Sequence, residues 1–447
     1  MRSRATLPRW LITVGAAVLL TCGRAKAPEV APQPEGQPAA PAPEAAPPAA
    51  PVPEVPPPAP EPVGGIEPEI AIGLVVGAAS LTISSEAAIT VTDTMGIPVP
   101  GLPASQAWAI VPQGPGLVLV APDGWRSERK MGFRLAPTSP AMTLTVGTRS
   151  YRGRIVLRGD GHGLTANNQV GVESYLAGVL SAEMGRRDST DLEAMRAQAV
   201  ISRTFALKNR GKRRTDGFDL NASVADQVYG GATTETPLAW SAVRGTTGQV
   251  LTWQGGLIDA FFSSTCGGRT AEGTEVYAGA NRPYLRSIED VDPDGQAYCR
   301  ISPRFRWREE WTGESLRDIL RRTLPATTGV SSAEVARVVD IRVTSRTVSD
   351  RAGRVEINLG NRVVAVSGPD IRLTLRPTPE QVLRSSGFTL TETRSGGQVE
   401  RLVADGRGAG HGVGFCQWGA VGRARAGQDY QAILRAYFTG TDIQRLY

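Results

Sequence analysis

A chain of 447 residues, 41% hydrophobic and 21% charged, can bury a sizeable core and has room for two or three domains of ordinary size. Fifteen of its 33 prolines fall between Pro28 and Pro62, which excludes a collagen-like or wholly disordered chain and confines the low-complexity sequence to one segment. The net charge of +6 includes Arg2, Arg4 and Arg9 near the start, and no basic block stands out beyond Arg210–Arg214, so nucleic acid is not an expected partner. Four cysteines do not make a disulfide scaffold, and two histidines exclude any site that needs three.

Residues 1–22 read as an export signal. Three arginines precede an apolar stretch from Trp10 to Leu20, about half the length that spans a bilayer as a helix. Leu19-Leu20-Thr21-Cys22 fits a lipoprotein box in which Cys22 is acylated. The rival cleavage site, Ala25-Lys26-Ala27, is followed directly by Pro28, which suits a protease groove poorly. Both routes lead out of the cytoplasm, and the first predicts a lipoprotein facing the periplasm, held to the membrane by its lipid alone. Residues 23–65 form a Pro/Ala/Glu-rich disordered tether. As polyproline II at ~3.1 Å per residue, it could reach on the order of 100 Å.

The folded region is expected over residues 66–447. Alternation in Leu81-Thr82-Ile83 and in Ala88-Ile89-Thr90-Val91-Thr92 predicts paired strands, joined later by Ile155-Val156-Leu157. A helical block follows over about Glu173 to Arg210. Strand signals return from Val250 to Phe262 and dominate beyond Arg337, where Asp350-Arg351-Ala352-Gly353 reads as a hairpin turn. A last helix is expected near Tyr430–Phe438. Strands, then helices, then strands again give an α+β fold, strand-rich, with a central helical block.

That block carries the strongest chemical signal. At 100° per residue Val172, Leu176 and Val179 share one face with Tyr175, and Glu183 falls in the middle of it. A carboxyl there is either exposed at a fraying helix end, since Met184-Gly185 reads as a stop, or desolvated and therefore protonated near neutrality, as a general acid must be. The next helix opens on Thr190-Asp191-Leu192-Glu193, which fits a capping box. Arg203 sits near the centre of its apolar face and needs an anionic partner, either in a structural ion pair or in a site.

Two further segments stand out. Gly406–Ala420 (GRGAGHGVGFCQWGA) is dense enough in glycine to let His411, Gln417 and Trp418 project into a cleft. Its glycines match neither a phosphate loop nor a dinucleotide fingerprint. Trp418 offers a flat face for a sugar, or a core side chain. In Phe261–Gly268, Cys266 could be a nucleophile paired with His411. It could also join Cys299, Cys416 and His411 around zinc, form a disulfide with Cys299, or remain a buried thiol.

On these residues the chain resembles the stage II sporulation protein D family, also described as the amidase-enhancer LytB domain. Four motifs match in order: VESYLAGVLSAEM (Val172–Met184) with EAMRAQAVISRTFAL (Glu193–Leu207), DQVYGG (Asp226–Gly231), STCGGRT (Ser264–Thr270) and GRGAGHGVGFCQWGA. The resemblance covers roughly residues 66–447. It implies an enzyme acting on peptidoglycan, a lytic transglycosylase preferring glycan strands stripped of stem peptides, with Glu183 as the catalytic acid. Arg203, Gln227, Tyr229, His411 and Gln417 would shape the sugar site. Some members bind zinc through histidine and cysteine around the STCGG segment. Here Ser263 and Ser264 stand where that histidine is usual, so no cofactor is expected, with zinc the alternative. A second reading is a wall-binding protein that cuts nothing and activates an N-acetylmuramoyl-L-alanine amidase.

Overall fold

The chain is described from a computed structural model over residues 65–447, apart from 87, 102–106, 160 and 162. The export signal with Cys22, and the tether up to residue 64, lie outside the described residues. Alternation builds the first layer. Ile70 and Ile72 of the strand Glu69–Ala78 point inward and are fully buried, and the strand runs antiparallel to Leu164–Gly171 with Ile70 opposite Val170. Around this pair lies a six-stranded sheet in the order Leu220–Asn221, Glu69–Ala78, Leu164–Gly171, Arg154–Gly159, Gly132–Pro137, Ile89–Asp93. A five-stranded sheet covers it (Gly116–Val120, Ala107–Gln113, Leu81–Ser84, Leu144–Val146, Arg149–Tyr151). The strands expected over 81–83 and 88–92 are both present but do not pair with each other. Leu81–Ser84 pairs with Ala107–Gln113 and Ile89–Asp93 with Gly132–Pro137, in different sheets. Alternation fixes which side of a strand is buried, not which neighbour it takes.

Helix α1 (Val172–Met184) starts where the strand Leu164–Gly171 ends, and it stops at Gly185, whose positive φ of 70° only glycine adopts readily. Helix α2 (Leu192–Lys208) is buried on nearly every side and forms the centre of the main core. The capping box expected at its start does not form. The Asp191 carboxylate is taken by Arg425, that of Glu193 by Arg196 and the Tyr430 N–H, and the turn ahead is capped instead by Asp188, which accepts from the Thr190 N–H at 2.9 Å. Helix α3 (Pro237–Arg244) packs beside both.

Residues beyond Cys299 bring a second hydrophobic core, from Trp307 to Ala404, within the same compact unit. It holds helices α4 (Gly313–Thr328) and α5 (Asp370–Thr374) between two three-stranded sheets. The predicted hairpin is one of them. Asp340–Arg346 pairs with Ala352–Asn358, and the turn residue Asp350 adopts φ of 60°. Gly406 has no side chain because the Trp307 ring lies against its Cα, where a Cβ would come within 2.1 Å. The chain then returns to the main core through α6 (Gln417–Arg425) and α7 (Tyr430–Tyr437). The α+β class read from the sequence holds.

Arg203 finds its partner within this scaffold. Its side chain is fully buried and donates Nε and Nη2 to the Glu173 carboxylate at 2.9 and 2.6 Å, and Nη1 to the Gln249 carbonyl at 3.0 Å. Glu173 also accepts from the Gly248 N–H and the Tyr447 hydroxyl. Arg203 is therefore a structural cation tying α2 to α1 and the C-terminus; it does not meet Glu183. Arg203→Ala should leave a buried, uncompensated carboxylate and lower unfolding free energy by ~3–5 kcal/mol. Urea unfolding checks this, and replacing both Arg203 and Glu173 by methionine should recover part of the loss.

Candidate active-site cleft

A cleft of about 650 Å³ opens between the end of α1, the loop before α3, the Phe261–Ser264 segment and the glycine-rich return. Glu183, His411 and Gln417 line it. Arg203, Gln227, Tyr229 and Trp418 do not, although the sequence pointed to all seven.

Glu183 sits in the last turn of α1, half-buried. Burial raises its carboxyl pKa above the ordinary range. The partial negative charge at a helix C-terminus acts in the same direction. Two contacts oppose this without overcoming it. The Val228 N–H donates to Glu183 Oε1 at 2.7 Å, and Gln417 approaches the carboxyl. Gln417 Nε2 is buried and makes no other hydrogen bond, so the Glu183 carboxyl is the group it serves.

The DQVYGG loop explains the split among the expected residues. Its successive side chains face opposite ways. Gln227 and Tyr229 turn inward, where the Tyr175 hydroxyl donates to Gln227 Oε1 at 3.0 Å and the Tyr229 hydroxyl to Asn168 Oδ1 at 2.8 Å. Asp226 and Val228 face the cleft. The loop presses so closely on α1 that a Cβ at Gly178 would lie 2.7 Å from the Tyr229 ring and 2.8 Å from the Gly231 carbonyl. Burial would raise Asp226, but Lys212 Nζ and Arg213 Nε, each at 2.6 Å, outweigh it and hold the carboxyl below its usual range. Gln227 and Tyr229 thus fix the loop that delivers the Val228 N–H.

His411 is neutral. Its Nδ1 accepts from the Val413 N–H at 3.1 Å, which leaves Nε2–H to donate to the Phe262 carbonyl at 2.8 Å. Burial brings its pKa down to about 4, with Arg372 and Arg351 adding repulsion against a proton. With both ring nitrogens engaged, His411 is neither a metal ligand nor the base of a cysteine nucleophile. Trp418 lies outside the cleft under the Arg187 guanidinium, 4.2 Å from the ring centre. The aromatic wall of the cleft is instead Phe205, Phe261, Phe262 and Tyr277, with Phe261 and Tyr277 stacked at 4.4 Å. Nothing in the local sequence distinguished these from core residues, because three separate segments supply them. Arg304 and Arg372, also unforeseen, complete the lining from the second half of the chain.

Cys266, Cys299 and Cys416 do converge, and all three are free thiols, which excludes the Cys266–Cys299 disulfide in this structure. The fourth group beside them is Asp290 rather than His411, and the four ligand atoms lie within 4.8 Å of one another. Three sulfurs and one carboxylate oxygen at that spacing fit a tetrahedral metal ion of the zinc type.

A family model described as stage II sporulation protein matches residues 160–253, the span that carries α1, α2 and the DQVYGG loop. The chain belongs to the stage II sporulation protein D family. A second model, described as a domain of unknown function (DUF8618), matches residues 295–414 and so takes in the second core together with Arg304, Arg372 and His411. An uncharacterized protein of Brachyspira hyodysenteriae is 32% identical over 62% of this chain and 67% of its own length. Stage II sporulation protein D of Bacillus subtilis is 29% identical over 62% of this chain and 77% of that protein. The amidase enhancer of Bacillus subtilis is 29% identical over 60% of this chain, a match that spans 40% of that protein.

The electrostatics of this cleft can be measured directly. A carbon-detected NMR titration should place the Glu183 carboxyl midpoint above that of an exposed glutamate, ~4.3. His411 should stay neutral down to about pH 4. Because the folded pKa of Glu183 is raised, its ionisation disfavours the fold as pH rises. Glu183→Gln should therefore match or exceed the wild type in thermal stability above neutrality.

Proposed function

We propose that the protein is a peptidoglycan lytic transglycosylase that cleaves the bond between N-acetylmuramic acid and N-acetylglucosamine in denuded glycan strands, leaving 1,6-anhydro ends. The observation that carries this reading is the desolvated Glu183 carboxyl, raised in pKa and held by one backbone donor inside a cleft walled by aromatics. In its protonated form it donates to the glycosidic oxygen while positive charge develops at the sugar C1. As carboxylate it then takes the proton of the muramyl 6-hydroxyl, whose oxygen closes on C1. No water enters and no second catalytic carboxylate is required.

The rest of the lining suits that chemistry. Asp226 is the other acid among the cleft residues, and Lys212 and Arg213 already neutralise it, which leaves one titrating carboxyl. Arg304 and Arg372 give the rim a positive character suited to the free lactyl carboxylates of a denuded strand. Phe261 and Tyr277 offer stacking faces to sugar rings. The family membership supports a role at the cell wall. Anchoring through an acylated Cys22 on the tether, outside the cytoplasm, is part of the same proposal. The similarity to a protein named amidase enhancer favours one second reading, a wall-binding activator of an amidase that makes no cut itself.

Purified protein incubated with denuded glycan should release fragments with 1,6-anhydro ends, detected by mass spectrometry. Glu183→Gln should reduce that release by at least 10²-fold. Activity should fall on the alkaline side through one ionisation, that of Glu183, and His411→Gln should not remove this limb. Sedimentation with the wall polymer without any cleavage would overturn the enzyme and leave the activator.

A further inference from the structure

We infer that a recess between Arg351, Arg372 and His411 is a binding site for one small monovalent anion, the size of chloride or of a carboxylate end, which locks the second core onto the wall of the cleft. The inference is independent of the reaction proposed for Glu183.

The other buried arginines set the standard. Among the described residues three arginines are buried, Arg203, Arg351 and Arg423. Two of them hold a carboxylate, Arg203 that of Glu173 at 2.6 Å and Arg423 that of Asp290 at 2.9 Å. Arg351, only 3% exposed, has no carboxylate partner among the described residues. Its Nη2 donates to the Cys266 carbonyl at 2.8 Å and to the Arg269 carbonyl at 3.4 Å, and its Nε is buried without a hydrogen-bond partner. Carbonyl groups satisfy a donor without cancelling its charge, and a guanidinium does not shed its proton to escape burial.

The recess enlarges the imbalance. Arg351 and Arg372 line it with His411, Glu275 and Ser386. Arg372 gives Nε to the Leu383 carbonyl at 2.7 Å and likewise has no carboxylate partner among the described residues. Burial disfavours the charge on both arginines, and Arg351 adds repulsion against that of Arg372. His411 is neutral, and Glu275 is occupied by the Ser349 N–H and hydroxyl. The lining thus carries two positive charges and one negative, and a single monovalent anion brings it to neutrality. The free volume is about 30 Å³, close to the share of one water molecule in the liquid. A halide or the end of a carboxylate fits that space; sulfate and phosphate are too large.

The location gives the anion its purpose. Arg351 and Arg372 belong to the second core, whereas His411 and Gly412 belong to the glycine-rich return. The two parts touch here so closely that a Cβ at Gly412 would lie 2.3 Å from Arg351 Nη2. His411 and Arg372 line the recess and the cleft alike, so an anion between the arginines holds Arg372 at the cleft rim. Two sources carry the required chemistry, chloride from the solvent and a carboxylate entering from the cleft.

Thermal unfolding of the full chain, at constant pH and ionic strength, tests the site. Replacing methanesulfonate, which is too bulky to enter, by chloride should raise the midpoint and saturate, as binding to the folded state alone requires. Arg351→Met and Arg372→Met should each lose that rise. Crystals soaked in bromide should show an anomalous peak between the two guanidinium groups. Acetate separates the sources: an equal rise with loss of the bromide peak assigns the site to a carboxylate, and a rise with halide alone assigns it to the solvent ion. Should Arg351→Met fail to fold, Arg372→Met on the half-buried partner and the wild-type diffraction decide. A midpoint indifferent to the three anions, or a rise that survives both substitutions, would overturn the site. So would a bromide peak without any anion-dependent rise, which would mark an adventitious ion only.

Discussion

One backbone hydrogen bond sets the terms for the cleft, the Val228 N–H donating to Glu183. A carboxyl can be taken out of water at the end of a buried helix only if some fixed group receives it, and a backbone donor does so without adding a charge. A salt bridge in that position would have forced the carboxyl to stay ionised. The molecule instead spends its cations next door. Lys212 and Arg213 go to Asp226 two residues before Val228, which stiffens the loop and leaves Glu183 without a counter-ion. The same economy appears deeper in the fold, where Arg203 satisfies Glu173 and stays out of the cleft.

Residues expected from their motifs to shape the sugar site act largely as supports. Gln227 and Tyr229 brace the loop from behind, through Tyr175 and Asn168, and Gly178 exists so that helix and loop can touch. His411 holds two turns together as a neutral imidazole. Each has a clear physical task, and none of those tasks is proton transfer. The groups that face the cleft, Arg304, Arg372, Tyr277 and the Phe261 ring, come from parts of the chain that periodicity could not connect.

The second core changes how the cleft is understood. Residues 307–404 pack around their own hydrophobic cluster, yet they deliver Arg372 to the rim and press Arg351 against the Cys266 carbonyl at 2.8 Å. Ser349 contacts Glu275 beside it. Packed so closely, this segment shapes one side of the cleft that Glu183 lines from another.

By itself the sequence determined the local features. The period of α1 put Glu183 on an apolar face, Gly185 ended the helix there, and alternation marked the strands and the hairpin around Asp350. These follow from interactions between residues a few positions apart, which a linear reading contains. Only the tertiary structure decided which strands pair, that Arg203 belongs to Glu173, that Asp290 and not His411 stands beside the three cysteines, and that residues 307–404 have a core of their own. Those outcomes depend on contacts between groups 24 to 150 positions apart, and the desolvation and charge that choose a partner are properties of a filled volume rather than of a sequence window.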